Sequence, residues 1–124
     1  EAFQKMVTME GFNPEFYAQN KEKLIGPNGA WSDLRDNVAT HQRLTDAALS
    51  HNTLDRLVSI QAPTLVMHNG LDFITAPRLT MPVEQNIPGA EGYWMRNAAH
   101  VVTGREARIE FCNVLLNFLE KHSG

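Results

Sequence analysis

Apolar positions along the chain change their period once, near Leu54, and the change divides it into two parts. Before it the spacing is helical. Trp31, Leu34, Val38, Leu44, Ala47 and Ala48 fall mostly three or four apart, with Asp33, Arg35, Asp36 and Arg43 between them, the pattern of an amphipathic helix or two. Further upstream, Asn13-Pro14-Glu15 joins a capping residue, a proline whose missing N–H costs nothing at a helix start, and an acid for the first turn. It predicts a short helix through Lys23, ended by the turn Gly26-Pro27-Asn28-Gly29. No strand pattern occurs before Leu54. Residues 1–53 are therefore expected to form a helical layer whose apolar face needs another body to cover it.

From Leu54 onward strands and helices alternate. Leu57 and Ile60 lead through Gln61-Ala62-Pro63 into Thr64-Leu65-Val66-Met67-His68, a continuous, partly β-branched run of the kind buried on both faces of a parallel sheet. Asn69-Gly70 ends it. A helical stretch is expected from Pro77 to about Ile87, then the turn Pro88-Gly89 and a short strand at Gly92-Tyr93-Trp94-Met95. The last element is a helix from Arg105 to about Lys121. Its inward face is expected at Ile109, Cys112, Leu116 and Leu119, with Glu110, Asn113 and Lys121 turned to solvent. Strand, helix, strand, helix at this spacing predicts a parallel α/β unit. Two strands alone make a poor sheet, so residues 54–124 are expected to be the end of a larger α/β sheet. The chain also opens at Glu1 and not at a methionine, which points the same way, to a piece of something longer.

Composition narrows the function classes. With 124 residues, 43% hydrophobic and 20% charged, the chain has the make-up of a soluble globular domain or part of one. A net charge of −3 supplies no basic footprint for nucleic acid or an anionic membrane surface. The single cysteine, Cys112, cannot close an internal disulfide and favours a reducing, cytoplasmic setting; mid-helix on an apolar face, it reads as inert packing. His41, His51, His68 and His122 show no metal-ligand spacing, and His68 reads as a strand-end residue near the site.

Two titratable residues stand where chemistry is expected. In doubly wound sheets ligands bind beyond the carboxyl ends of the strands. Asp72 lies three residues past the first apolar run, and His100 five past the second strand. Loops at neighbouring strand ends would bring the two to one edge. A carboxylate holding one imidazole nitrogen fixes the tautomer and leaves the other nitrogen as a base. Taken singly, an Asp after a strand is commonly a turn residue and a loop His is commonly just solvated; the pairing is what raises both above that reading.

The segment Leu57–Leu119 resembles the C-terminal third of the α/β-hydrolase superfamily. The resemblance rests on the strand Pro63-Thr64-Leu65-Val66-Met67-His68 and the acid in Gly70-Leu71-Asp72-Phe73-Ile74-Thr75-Ala76-Pro77. It rests also on the turn Ile87-Pro88-Gly89-Ala90 and on His100 ahead of a closing amphipathic helix. Ala99 and Asn69 stand where that family usually has glycine, and its acid-x-Pro beyond the histidine is echoed only by Glu106. The resemblance implies a cofactor-free enzyme acting on an ester, lactone or similar small-molecule acyl substrate, with Asp72 and His100 as acid and base. Residues 1–53 correspond to the helical cap, or lid, of the family. Phe73 and Val101, beside the pair, and Trp31 in the lid are candidates for substrate contact; for Trp31, Tyr17 and Phe12 plain core packing is the competing reading.

No G-x-S-x-G surrounds Ser32, Ser50, Ser59 or Ser123. The resemblance therefore places the nucleophile and oxyanion donors on an N-terminal polypeptide of the same hydrolase, upstream of Glu1. Association of copies into a homo-oligomer is left open. Two alternatives stand beside the Ser-Asp-His reading. One is an aspartate-nucleophile epoxide hydrolase or haloalkane dehalogenase of the same fold; the other is a non-catalytic binding protein on this scaffold.

Overall fold

A computed structural model describes residues 2–29, 32 and 37–123. The helical first part forms α1 (Ala2–Gly11), α2 (Pro14–Leu24) and α3 (Val38–Ser50). The Asn13 side chain accepts from the Glu15 N–H at 2.9 Å, so the start of α2 is capped as its sequence predicts. Lys21 and Lys23 sit in its last turn, where the helix dipole favours cations. Gln4 of α1 reaches across to the turn after α2, donating to the Gly26 carbonyl at 3.1 Å and accepting its N–H at 3.0 Å. Gly26 has φ +118°, open to glycine and strained for other residues. These two hydrogen bonds join α1 to the end of α2, and Thr8 of α1 is wholly buried. On α3 no residue is buried, and Leu44 and Leu49 stay exposed.

After a 3-10 turn at Leu54–Ser59, strand β1 (Leu65–Asn69) pairs in parallel with β2 (Glu91–Met95), from Leu65 opposite Glu91 to Asn69 opposite Met95. Helix α4 (Pro77–Asn86) connects them and α5 (Arg105–Lys121) follows. Among the described residues the sheet has these two strands only. The run Leu65–Asn69 is not buried on both faces as expected: Val66 and His68 are buried, while Leu65, Met67 and Asn69 are half-buried. Among the described residues, helix α4 packs on β1 and α5 packs on β2. No helix among the described residues is long and apolar enough to cross a membrane.

His68 stands near the end of β1. It is fully buried on the α4 side, with Nδ1 2.7 Å from Thr80 Oγ1 and Nε2 2.5 Å from Glu84 Oε2. Thr80 and Glu84 stand four apart on α4 and so present one face to the strand. The Trp94 ring, on the neighbouring strand, lies 4.9 Å from the imidazole. Gly92 makes room for Glu84, because a β-carbon there would collide with the carboxylate. Gly92→Ala is expected to push Glu84 off His68 and cost about 1–3 kcal/mol, the penalty for a buried group losing its partner. Urea denaturation of the two proteins measures it, and an unchanged midpoint would contradict the assignment.

The inward face of α5 differs from the expected one. Ala107, Glu110, Phe111, Val114 and Phe118 are half-buried, with the Tyr93 hydroxyl donating to Glu110 at 3.1 Å. Ile109, Leu116 and Leu119 are about half exposed, and Cys112 is exposed too, so it is not packed as expected. Of the residues expected in solvent, Asn113 and Lys121 are there and Glu110 is not. The helix is apolar on two sides, and β2 takes the Phe111–Phe118 side.

Candidate active site

The two strands end side by side, and their loops are laced together. Gly70 N–H donates to Met95 O at 3.0 Å and Leu71 N–H to Ala98 O at 2.9 Å. The Asn69 side chain donates to Ala99 O, also at 2.9 Å, and pins the peptide just before His100. This gives the departure from glycine at Asn69 a physical role. Gly70 does the work of close approach instead: a β-carbon there would stand 2.6 Å from the Arg96 carbonyl oxygen.

The lacing delivers Asp72 and His100 to each other. His100 Nδ1 lies 3.1 Å from Asp72 Oδ2. Asp72 is 6% exposed and fully engaged. Its Oδ1 accepts from the Ile74 and Thr75 N–H groups at 2.8 Å each, and its Oδ2 also accepts from the Thr75 hydroxyl at 2.6 Å. Burial, the largest single influence, pushes the Asp72 carboxyl up. The Thr75 hydroxyl and N–H, the His100 ring and the Ile74 N–H together outweigh it and hold the carboxyl below its ordinary value. The His100 side chain is 40% exposed, and among the described residues its Nε2 has no hydrogen-bond partner. The arrangement is a buried anion orienting a solvent-facing imidazole, with one ring nitrogen open to accept a proton.

A carboxyl lowered in the folded state stabilises that state above its unfolded pKa of about 3.9, and the contribution is lost as pH falls through the still lower folded value. The stability difference between the protein and its Asp72→Asn variant is therefore expected to shrink as pH drops below about 4. Denaturant unfolding between pH 5 and pH 2.5 checks it; a difference that stays constant or widens on acidification would contradict the assignment.

The α1–α2 joint sits on the same edge. Gly11 O, at the end of α1, accepts from the Val101 N–H at 2.8 Å, and the Asn13 side chain donates to Asn97 O at 3.1 Å. The loop carrying His100 is thus gripped at both ends. Nothing in the sequence marked these contacts, which join residues more than eighty positions apart. Of the candidate contact residues, Phe73 is 72% exposed beside Asp72, and Val101 is 38% exposed on the rim with Ile74. Trp31 lies outside the described residues. Phe12 and Phe16 stack at 5.6 Å, and Tyr17 is half-buried. A cleft between α2 and the start of α5, lined by Phe16, Leu71, Asn97 and Arg105, contains neither Asp72 nor His100. Among the described residues no group of three His, Cys, Asp or Glu side chains is placed to hold a metal ion.

No family model matches the sequence, and no curated protein matches it significantly. Solved structures do resemble the fold. One is MGS-M2, an α/β-hydrolase enzyme from a Medee basin deep-sea metagenome library, with a TM-score of 0.70 at 21% identity, over 96% of this chain and 44% of that one. Another is Est816, an N-acyl homoserine lactone degrading enzyme, with a TM-score of 0.56 at 27% identity, over 94% of this chain and 45% of that one. The chain therefore spans less than half the length of either.

Proposed function

From a chain with the fold of the C-terminal portion of an α/β hydrolase, we propose the acid and base of a Ser-Asp-His hydrolase acting on an ester, lactone or similar acyl substrate. The serine and the oxyanion donors belong to the polypeptide preceding Glu1. His100 Nε2 takes the serine hydroxyl proton as the oxygen attacks the acyl carbon, then hands it to the departing oxygen. Water, activated by the same nitrogen, releases the acid and regenerates the serine. Asp72 holds the Nδ1 proton and stabilises the imidazolium that forms at each step. No cofactor takes part.

The observation that carries this reading is the 3.1 Å Asp72–His100 contact, with the far side of the ring open. Lactone degradation by Est816 favours the acyl class. Residues 1–53 act as the lid and residues 54–124 as core. Trp31, Phe73 and Val101 contact the small-molecule substrate. The N-terminal polypeptide of the same hydrolase pairs along the outer edge of β1 and covers the exposed apolar side of α5. The single cysteine, Cys112, suits a cytoplasmic setting.

The test is substrate class. The complete enzyme is offered p-nitrophenyl butyrate, an N-acyl homoserine lactone, styrene oxide and 1-chlorobutane. Hydrolysis of the ester or the lactone is expected. Turnover confined to the epoxide or the chloroalkane, or no turnover at all, would overturn the reading.

A further inference from the structure

We infer that Thr75 is a positioning residue for the Asp72–His100 pair, its hydroxyl holding the carboxylate in place and adding a second acceptor for the Nδ1 proton that Asp72 fixes. The inference rests on the proposed role of His100 as the base. Thr75 grips both oxygens of the carboxylate: its N–H donates to Oδ1 at 2.8 Å and its hydroxyl to Oδ2 at 2.6 Å. It is also the second group facing His100 Nδ1, with Oγ1 3.3 Å away.

A hydroxyl has one proton to give and lone pairs left over. The Asp72 carboxylate is ionised and can only accept, so the Thr75 proton goes to Oδ2 along the shorter contact. What Thr75 turns toward the imidazole is a lone pair. His100 Nδ1 therefore meets two acceptors, Asp72 Oδ2 at 3.1 Å and Thr75 Oγ1 at 3.3 Å. An unprotonated Nδ1 would face lone pairs on both sides, whereas an Nδ1–H shared between the two oxygens satisfies them. Nε2 is then the bare nitrogen, on the ring's solvent side. When the ring becomes a cation, Thr75 Oγ1 adds a second dipole pointing its negative end at Nδ1–H. In the sequence the device is Asp-x-x-Thr, a spacing in which one residue supplies both a backbone and a side-chain donor to the same carboxylate.

Valine matches threonine in shape and lacks the hydroxyl. In the complete enzyme, Thr75→Val is expected to lower kcat for p-nitrophenyl butyrate about 10- to 100-fold, the range for losing a hydrogen bond to a charged group. KM is expected to stay within about twofold, since the loss falls on the transition state. Thr75→Ser is expected to restore most of the loss. Ring 15N chemical shifts of His100 provide a readout that a purely structural threonine would not move. They are expected to report the Nδ1–H tautomer in both proteins, with the Nδ1 shift moved in Thr75→Val by the loss of its second acceptor. Should valine not fold, Thr75→Ala carries the same comparison, and a parent His100 protonated on Nε2 alone would by itself overturn the inference. It is overturned as well if Thr75→Val keeps the parent kcat and Nδ1 shift while His100→Ala is inactive. If His100→Ala is itself fully active, the reading of His100 as the base fails instead.

Discussion

Replacing His100 with alanine in the complete enzyme is expected to remove nearly all turnover, a loss on the order of 10⁶-fold if it behaves as the histidine of a protease triad does. The size follows from the role. Without an acceptor at Nε2 the attacking hydroxyl keeps its proton, and without imidazolium the departing oxygen has no donor. The fold is expected to survive, because the side chain is 40% exposed and Asp72 keeps its Ile74 and Thr75 donors; losing one hydrogen bond to a charged group costs about 1.5–3 kcal/mol. Steady-state hydrolysis of p-nitrophenyl butyrate, with a thermal melt on the same sample, separates the two effects. Parent-level turnover would remove His100 from the chemistry.

Asp72→Asn is the second large effect, expected near 10⁴-fold in kcat by analogy with the protease triad. Asparagine can keep the Ile74 and Thr75 N–H bonds at Oδ1 while presenting an NH₂ where Oδ2 stood. That group donates to Nδ1, so the proton moves to Nε2 and the base is blocked by its own hydrogen. KM is expected to change far less than kcat, because the pair acts on the transition state. A loss below about tenfold in kcat would mean that Asp72 is a turn residue alone, engaged only with Ile74 and Thr75.

Much of this edge was legible in the sequence because it follows from position along strands. The apolar run and the Asn69-Gly70 break marked where β1 ends, the turn at Pro88-Gly89 marked where β2 begins, and Asp72 and His100 stand past the two strands. The α5 bounds were legible too, since Gly104, at φ +85°, precedes an uninterrupted helical stretch. Its inner face was not: Phe111, Val114 and Phe118 compete with Ile109, Leu116 and Leu119, and periodicity cannot rank two apolar stripes on one helix. His68 was placed at the strand end, where it stands, but its buried partners were not legible, because a strand-end histidine reveals nothing of what lies above it. The available signal was the Thr80 and Glu84 pair on α4, together with Gly92 leaving room opposite. Thr75 stood inside the quoted motif, and only the coordinates show its hydroxyl between carboxylate and ring. The grip of Gly11 and Asn13 on the His100 loop depends on how α1 and α2 dock, a long-range fact with no local sequence signature.

The most direct test of the central claim is a crystal structure of the complete enzyme inactivated by a p-nitrophenyl phosphonate, which bonds covalently to an activated serine and mimics the tetrahedral intermediate. The measured quantity is the distance from His100 Nε2 to the phosphonylated serine oxygen. The account predicts hydrogen-bond reach, about 2.6–3.2 Å, with Asp72 still on Nδ1. A phosphonate bonded elsewhere, or an Nε2 more than about 6 Å from that oxygen, beyond hydrogen-bond reach, would contradict it.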